Sequence, residues 1–194
     1  RNGHRNGILH QTVIPAGFGA DTEAAAGRHA TGIAEQLGVG GLLAVEMFVL
    51  SDGRVWMNEL AARPHNSGHV TLRATARSQF ELHIAAICNL PLGNGGEVAD
   101  AGVESHVALL QSAVMTNLLG DLWLPDRADG PREPDWPRVF ADPRATLHLY
   151  GKSPRPGRKM GHMIHTAETV EAALAAARAL FGMLSGSPTE TVSR

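Results

Sequence analysis

Cysteine is nearly absent from this 194-residue chain, which has one thiol, Cys88. A single cysteine excludes an internal disulfide and any zinc site built from several cysteines. No apolar run approaches the roughly 18 residues of a membrane span. The net charge is only −2, and the basic residues are not run together, so no electrostatic footprint for nucleic acid or an anionic membrane is visible. These absences predict a reduced, cytoplasmic protein without a nucleic-acid or membrane partner.

Several common catalytic signatures are also missing. The chain has no P-loop and no dinucleotide-binding glycine pattern, and it has no nucleophile-elbow motif. Its ten histidines lack HExxH spacing, which argues against zinc catalysis. Cys88 lies in the apolar run 84–88, which favours a buried core residue over a reactive thiol. Residues 1–7 include neither an initiator Met nor a signal-peptide apolar region, so we expect the chain to begin partway through a longer protein.

Periodicity and turn residues predict a mixed α+β fold. We expect a helix capped by Asp21-Thr22 and stopped by Gly38, and a second helix opened by a Ser78/Glu81 capping box, with Phe80, Ile84, Ile87 and Cys88 at helical spacing. A last helix, capped by Thr166, should cover about residues 168–184. The predicted strands, apart from one hairpin, are residues 8–14, 106–118, 146–150 and 160–165, with an extended, proline-rich surface loop at 125–143.

That hairpin is the most informative stretch of the chain. If Asp52-Gly53 forms a two-residue loop, Ser51 pairs with Arg54 and Glu46 lies directly opposite Glu59. Opposed side chains on one sheet face stand roughly 5 Å apart, and like charges at that distance repel. The apolar residues Met47, Phe48, Val49, Met57 and Leu60 leave little of the hairpin polar enough to be freely solvated. The pair therefore indicates a divalent cation or a shared proton, with two solvated carboxylates as the alternative.

Two polar segments could bind anions. The first, residues 63–69, contains Arg63, His65, Asn66, Ser67 and His69, whose donors suit a phosphate or carbonate oxyanion, although a well-capped loop would look similar. The second places four cations within eight residues, namely Lys152, Arg155, Arg158 and Lys159. Its prolines and glycines suggest a backbone shaped for anion capture, and a solvated basic turn is the alternative.

In order along the chain, the motifs VEMF, DGRVWMNE, ARPHNSGH, SQFELH and LPLG resemble the N5-carboxyaminoimidazole ribonucleotide synthase family. These are ATP-grasp carboxylases of purine biosynthesis. The resemblance begins with NGHRNGIL and continues through VMTNLLGD, HLYGK and RPGRKMGH, so it covers nearly the whole chain except the proline-rich loop and the tail. The combination of RPHNSGH with RPGRKMGH is specific to that family. Ala62 and Val70 depart from the usual pattern, which has a proline and an aromatic residue there.

The resemblance implies a ligase reaction and a role for the hairpin in it. ATP phosphorylates bicarbonate to carboxyphosphate, and the exocyclic amine of 5-aminoimidazole ribonucleotide captures the carboxyl group. Glu46 and Glu59 would hold Mg²⁺ on the ATP phosphates, and Glu59 and Asn58 would contact ATP. Strict strand alternation puts Asn58 on the opposite face, so its participation requires a bulge or twist.

The two anion-binding segments also take roles from the resemblance. Arg63 and His65 would orient carboxyphosphate as catalytic residues, with Asn66 and Ser67 shaping its pocket. The 5′-phosphate of the ribonucleotide would be gripped by Lys152, Arg155 and Arg158. Concentrated cations would offset the charge of three anionic reactants.

The resemblance further predicts how the chain is divided. Residues 1–96 would be the C-terminal half of an ATP-grasp core, an antiparallel sheet with helices. Residues 97–184 would form a small C-terminal α/β domain, and 185–194 a disordered tail. An N-terminal domain and an ATP lid would precede them in a homodimeric enzyme, leaving this fragment inactive alone. Alternatives are another ATP-grasp carboxylate–amine ligase, such as a formate-dependent glycinamide ribonucleotide transformylase, and a non-catalytic binding or dimerisation remnant.

Overall fold

The computed structural model describes residues 1–92, 107–124 and 130–186. Their contacts divide the chain into two compact units, which we call unit 1 (residues 1–15 and 111–194) and unit 2 (residues 16–110). The predicted boundary between residues 96 and 97 and most of the predicted tail lie outside the described residues, so the predicted domain division stays a prediction. No helix in the described ranges is both long and apolar enough to cross a membrane.

Seven strands and five α-helices make up the described structure. The strands are β1 (Asn2–Arg5), β2 (Ile8–Ile14), β3 (Ala44–Val49), β4 (Val55–Ala61), β5 (Ser112–Leu119), β6 (Ala145–Leu149) and β7 (Lys159–Ala167). The helices are α1 (Ala20–Leu37), α2 (Thr71–Ala74), α3 (Gln79–Ile87), α4 (Pro137–Phe140) and α5 (Val170–Ser185). Short 3₁₀ turns cover Ser67–Val70 and Gly120–Trp123.

Unit 1 is built on a five-stranded antiparallel sheet in the order β1-β2-β5-β7-β6. The central strands β5 and β7 are buried along almost their whole length, because the side chains of residues 113–118 and 160–164 are mostly apolar. The face of α5 that carries small side chains packs on this sheet, and its Ala173 and Ala177 are fully buried among the core residues. Unit 2 contains the two-stranded sheet β3-β4. Together they confirm the expected α+β class.

Several predicted elements are confirmed. β2 covers residues 8–14 as expected, and α1 ends at Gly38, which adopts the left-handed conformation typical of a helix stop. The capping box is present, since the Ser78 side chain accepts from the Glu81 amide while the Glu81 carboxylate accepts from Ser78.

Two predicted caps are wrong by a few residues. α1 begins at Ala20 after Gly19, with no side-chain cap bond, so Asp21 and Thr22 lie inside the first turn. α5 is capped by Thr169, whose hydroxyl accepts from Ala172, whereas Thr166 continues β7. Thr166 and Thr169 both precede α5, and Asp21 and Thr22 follow the Gly19 that precedes α1, so residue type alone did not fix either helix start. The proline-rich stretch also contains α4, so it is not wholly extended.

The expectation that Cys88 lies in the core is wrong. Cys88 is exposed, and Ile84 and Ile87 of the same helix are each more than half exposed. The buried residues of α3 are Gln79 and Ala85. Helical spacing identifies which residues share a face, but it does not say which face another element covers.

His10 should make the stability of unit 1 depend on pH. Its ring is 9% exposed and packs edge-on against Phe181 at 5.1 Å between centroids. Burial, with the nearby charge of Arg5, lowers its pKa to about 4. The unfolded chain therefore binds a proton at higher pH than the folded chain does. Stability is fully present above about pH 6.5 and is lost as the pH falls towards 4.

We expect the free energy of unfolding to fall by about 2 kcal/mol between pH 7 and pH 5 because of this one group. Urea unfolding at several pH values measures the change, and His10→Gln should reduce it by that amount, leaving the contribution of His165, whose pKa burial also lowers. His29→Gln, at an exposed position on α1, is the matched control and should leave the pH dependence intact. Equal pH dependence in wild type and His10→Gln would contradict the assignment.

Candidate functional site

The hairpin formed by β3 and β4 places Glu46 directly opposite Glu59, as predicted. The path to that pairing differs from the prediction. Val49 pairs with Val55, and the Leu50 amide donates to the Arg54 carbonyl at 2.9 Å. The loop thus contains the three residues 51–53, and Gly53 takes the left-handed conformation with φ of 82°.

A β-bulge corrects the shift that the longer loop introduces. The register changes between Glu46 and Met47, where Met47 pairs with Met57 and Glu46 with Glu59. Asn58 is the extra residue. A bulge breaks strict alternation and can re-aim a side chain, so the condition that sequence reasoning set for Asn58 is met. Its proposed contact with ATP remains a prediction.

Glu46, Glu59 and His65 form one cluster, in which a ligand atom from each lies within 4.8 Å of the others. His65 Nε2 is 3.6 Å from Glu46 Oε1 and 3.9 Å from Glu59 Oε1. Glu46 is 20% exposed at its side chain and Glu59 is 60% exposed. The apolar hairpin residues were expected to keep water away from both acids, but they do so only for Glu46. Two opposed carboxylates with an open side fit a divalent cation that keeps some of its water.

The tautomer of His65 follows from its neighbours. The Ser67 main-chain N–H donates to His65 Nδ1 at 3.4 Å, and the Ser67 hydroxyl lies 2.8 Å from the same nitrogen. Because a main-chain N–H can only donate, Nδ1 accepts and Nε2 carries the proton. That N–H faces the carboxylates and is a donor for an oxyanion held beside them. The Ser67 hydroxyl can also accept, which permits the other tautomer when a cation takes Nε2.

The remaining predicted residues of the 63–69 loop differ in their surroundings. The Arg63 guanidinium donates to the Pro64 carbonyl at 3.2 Å, and no ion pair of Arg63 is found within the described ranges. The structure therefore does not bring its charge to the two carboxylates. Asn66 has a buried side-chain nitrogen, Nδ2, for which the described residues provide no acceptor. A bound oxygen atom would satisfy this donor.

The predicted phosphate-binding residues Lys152, Arg155 and Arg158 lie in unit 1 and are exposed. The turn that carries them has a defined shape. The Gly120 amide donates to the Arg158 carbonyl at 2.8 Å, and the Gly157 amide donates to Asp121 at 2.7 Å. A Cβ on Gly120 would lie 2.1 Å from the Arg155 carbonyl oxygen, so only glycine permits this approach.

Sequence reasoning gave no role to Tyr150, which lies beside this turn. The Lys152 ammonium sits 5.1 Å from the centre of the Tyr150 ring, a cation–π contact. The Tyr150 hydroxyl is in turn 2.7 Å from His162 Nδ1, and burial raises the pKa of this phenol. Tyr150, a neutral phenol fixed by its contact with His162, therefore restrains the Lys152 side chain.

Phe48 was expected to help shield the hairpin from water, yet Phe48 and Trp56 are both 57% exposed. They are direct cross-strand partners, and Phe48 is two residues from Glu46 on the same strand and so on the same face. Two exposed rings beside a pair of carboxylates form an apolar platform suited to the flat base of a nucleotide. The sequence could have predicted that Phe48 lies on the same strand face as Glu46, because the two residues are two positions apart.

Comparison with known families divides the chain into two matched segments. Residues 1–80 match the ATP-grasp domain family. Residues 113–176 match the family described as phosphoribosylaminoimidazole carboxylase C-terminal domain.

Curated relatives and solved structures agree with those matches. The N5-carboxyaminoimidazole ribonucleotide synthase of Bacillus subtilis is 41% identical over 167 residues, covering 84% of this chain and 37% of the relative. The crystal structure of the Thermotoga maritima synthetase matches with a TM-score of 0.72 and 39% identity, covering 88% of this chain and 44% of that one.

A third comparison involves a ligand complex. The Aspergillus clavatus synthase, solved with ADP and 5-aminoimidazole ribonucleotide, matches with a TM-score of 0.68 and 29% identity over 94% of this chain and 46% of that one. The chain therefore spans less than half the length of each of these relatives.

Proposed function

The chain belongs to the N5-carboxyaminoimidazole ribonucleotide synthase family of ATP-grasp proteins, and on that premise we propose that it serves the same reaction as part of a longer protein. The reaction is the ATP-dependent carboxylation of 5-aminoimidazole ribonucleotide with bicarbonate, by way of carboxyphosphate. The observation that carries the proposal is the opposed pair Glu46 and Glu59 with His65 Nε2 within 4 Å of both.

The acidic pair is proposed to hold Mg²⁺ on the ATP phosphates. Carboxylate oxygens are the ligands that Mg²⁺ prefers, and it usually keeps several waters and binds substrate phosphates as well. The 60% exposure of Glu59 leaves room for those further ligands. When bound, the cation neutralises charge on the transferring phosphoryl group. Phe48 and Trp56 would support the adenine, and Asn58 would contact the nucleotide from the bulge.

The 63–69 loop is proposed to act on the acyl phosphate. A bicarbonate oxygen attacks the γ-phosphorus and ADP leaves. The substrate amine then attacks the carboxyl carbon of carboxyphosphate, and phosphate leaves. The His65 Nε2–H and the buried Asn66 amide are donors that would stabilise oxyanions in both steps. Ser67 orients the imidazole, and Arg63 would turn from the Pro64 carbonyl to the anion when it binds.

Unit 1 is proposed to bind the ribonucleotide through its 5′-phosphate. Lys152, Arg155 and Arg158 provide three exposed cations on a turn whose main chain is pinned by Gly120. Forked guanidinium groups bind phosphate oxygens in pairs, while the lysine acts as a point charge. The resemblance also implies a cytoplasmic homodimer, which we include in the proposal.

The substrate dependence of ATP turnover tests the proposal. The measured protein is a chimera in which this chain replaces the matching region of the Bacillus subtilis relative. We expect ADP formation only when 5-aminoimidazole ribonucleotide and bicarbonate are both present. Turnover that instead requires formate and glycinamide ribonucleotide would favour the transformylase alternative.

The isolated chain serves as a second arm of the test. It should bind 5-aminoimidazole ribonucleotide in a calorimetric titration, and Lys152→Met should weaken that binding more than tenfold through loss of a charged phosphate contact. Lys159→Met, in the same basic turn but at the start of β7, is the comparison variant and should have a smaller effect. Absence of both turnover and binding would contradict the proposal and favour a non-catalytic remnant.

A further inference from the structure

Gln79 is the first residue of α3 and is only 4% exposed. We infer that Gln79 is a positioning residue, which holds His65 beside Glu46 and Glu59 by bonding both main-chain polar groups of that histidine. The inference concerns the same site as the proposed function and rests on it for its catalytic meaning. The geometry can be tested separately.

The Gln79 amide makes a two-point contact with a single residue. Its Oε1 accepts from the His65 main-chain N–H at 2.9 Å, and its Nε2 donates to the His65 carbonyl at 2.9 Å. Since one partner can only donate and the other can only accept, the orientation of the amide is fixed. Two bonds to one residue restrain the rotation of that residue as well as its distance.

A third contact extends this restraint along the loop. Gln79 Nε2 lies 3.0 Å from His69 Nδ1. Because an amide nitrogen can only donate, His69 Nδ1 is the acceptor. One buried side chain therefore fastens both ends of the segment from His65 to His69.

The surrounding residues are shaped around this side chain. A Cβ on Gly68 would lie 2.2 Å from Gln79 Oε1 and 2.6 Å from its Cδ, so the close approach requires glycine. The Gln79 main-chain N–H donates to the Thr71 hydroxyl at 2.9 Å. The Ser78/Glu81 capping box fixes the turn on which Gln79 stands. Thr71 and the capping box thus fix the main chain of Gln79, while its side chain bonds to the loop of residues 65–69.

A buried glutamine could instead be satisfied packing with no bearing on the site. The distinguishing feature is where its bonds converge. They meet on the residue whose ring nitrogen is 3.6 Å and 3.9 Å from the two carboxylates. If Gln79 acts through His65, its loss should matter only while His65 is present. A double-mutant cycle measures that dependence.

The test uses the full 194-residue chain and Zn²⁺ as a geometric probe, because Zn²⁺ binds imidazole and carboxylate together at short distances. Gln79→Met keeps the side-chain length and removes the side-chain hydrogen bonds to His65 and His69. We expect it to weaken Zn²⁺ binding about tenfold, the scale of losses from residues that orient a metal-binding histidine. In a His65→Ala background, which also accounts for Zn²⁺ bound elsewhere, Gln79→Met should change the affinity less than twofold.

Amide hydrogen exchange gives a readout that needs no metal. The His65 amide should exchange at least tenfold faster in Gln79→Met. The Leu82 amide, which donates to Ser78 within the first turn of α3, should be unchanged and would show that the helix is intact. Gln79→Glu retains the acceptor for the His65 N–H and loses both donations. It should therefore preserve slow exchange at His65 better than Gln79→Met does, and it provides a variant of nearly native shape.

Two further variants complete the design. Gly68→Ala should reproduce the Gln79→Met effects, because the new methyl group displaces the same amide. Gln11→Met removes a glutamine bond to Thr116 in unit 1 and should alter neither Zn²⁺ binding nor His65 exchange.

Additive losses in the cycle, or unchanged His65 exchange in Gln79→Met, would overturn the inference. If wild type and His65→Ala bind Zn²⁺ equally, His65 is not a ligand of the probe; the proposed Mg²⁺ site of Glu46 and Glu59 is judged separately, by ADP formation. Exchange at His65 then still decides the role of Gln79.

Discussion

Glu59→Gln is expected to reduce Mg²⁺-dependent ATP turnover at least about 100-fold in the chimera described above, because a carboxylate ligand becomes a neutral amide of the same shape. A metal ion contributes several kcal/mol of charge stabilisation to phosphoryl transfer, and each 1.4 kcal/mol is about tenfold in rate. Glu46→Gln should have an effect of similar size, since the two residues are cross-strand partners. Turnover is measured by coupled ADP release at saturating Mg²⁺.

The fold should survive this substitution. Glu59 is mostly exposed, and neutralising one of two opposed acids relieves their repulsion. The thermal midpoint of the isolated chain should therefore stay the same or rise slightly. Glu35→Gln, on the exposed side of α1, removes one negative charge from the same unit and should leave turnover unchanged. Undiminished turnover in Glu59→Gln would show that the metal assignment is wrong.

Gly120→Ala is expected to destabilise unit 1 by about 1 to 3 kcal/mol, the range typical of overpacking with backbone displacement. The added methyl carbon would lie 2.1 Å from the Arg155 carbonyl oxygen and 2.6 Å from the Arg155 nitrogen. Both contacts are with main chain, so no side-chain rotation relieves them. Either β5 shifts at its end or the basic turn moves away.

Displacement of the basic turn should also weaken binding of 5-aminoimidazole ribonucleotide, because Arg155 and Arg158 lie on that turn. Urea unfolding and calorimetric titration measure the two effects. Gly3→Ala is the matched control in the same unit, where the nearest atom to a new Cβ is 3.9 Å away. It should change neither quantity. A stable Gly120→Ala protein with native affinity would show that the turn is not anchored there.

The acidic pair shows how much of the site was predictable from sequence. Opposition of Glu46 and Glu59 was predicted, although the predicted loop was one residue too short. The bulge at Asn58 compensated for that error. Turn type depends on how Asp52 is used, and here its carboxylate accepts from the Arg54 amide at 3.1 Å and pairs with the Arg54 side chain. Such a local choice between two similar turns leaves no distinct pattern in the residue order.

Contacts between distant segments were beyond sequence reasoning. The capping box at Ser78 was predicted because its two partners are three residues apart. Gln79, the next residue, bonds to His65 from 14 positions away, and Gly120 meets Arg155 from 35 positions away. No local periodicity reports these approaches. The exposure of Phe48 and Ile84 was missed for a related reason, since periodicity assigns a face without saying what covers it.

The bulge at Asn58 has a consequence for comparing chains of different length. The number of residues from the turn does not by itself locate Glu59, because the loop and the bulge can each contain one residue more or less. If Asn58 were deleted, the three-residue loop would still set the glutamate at position 59 opposite Glu46. A single gap on either side of the hairpin in an alignment of relatives is therefore compatible with an intact carboxylate pair, and pairing across the strands is the property to compare.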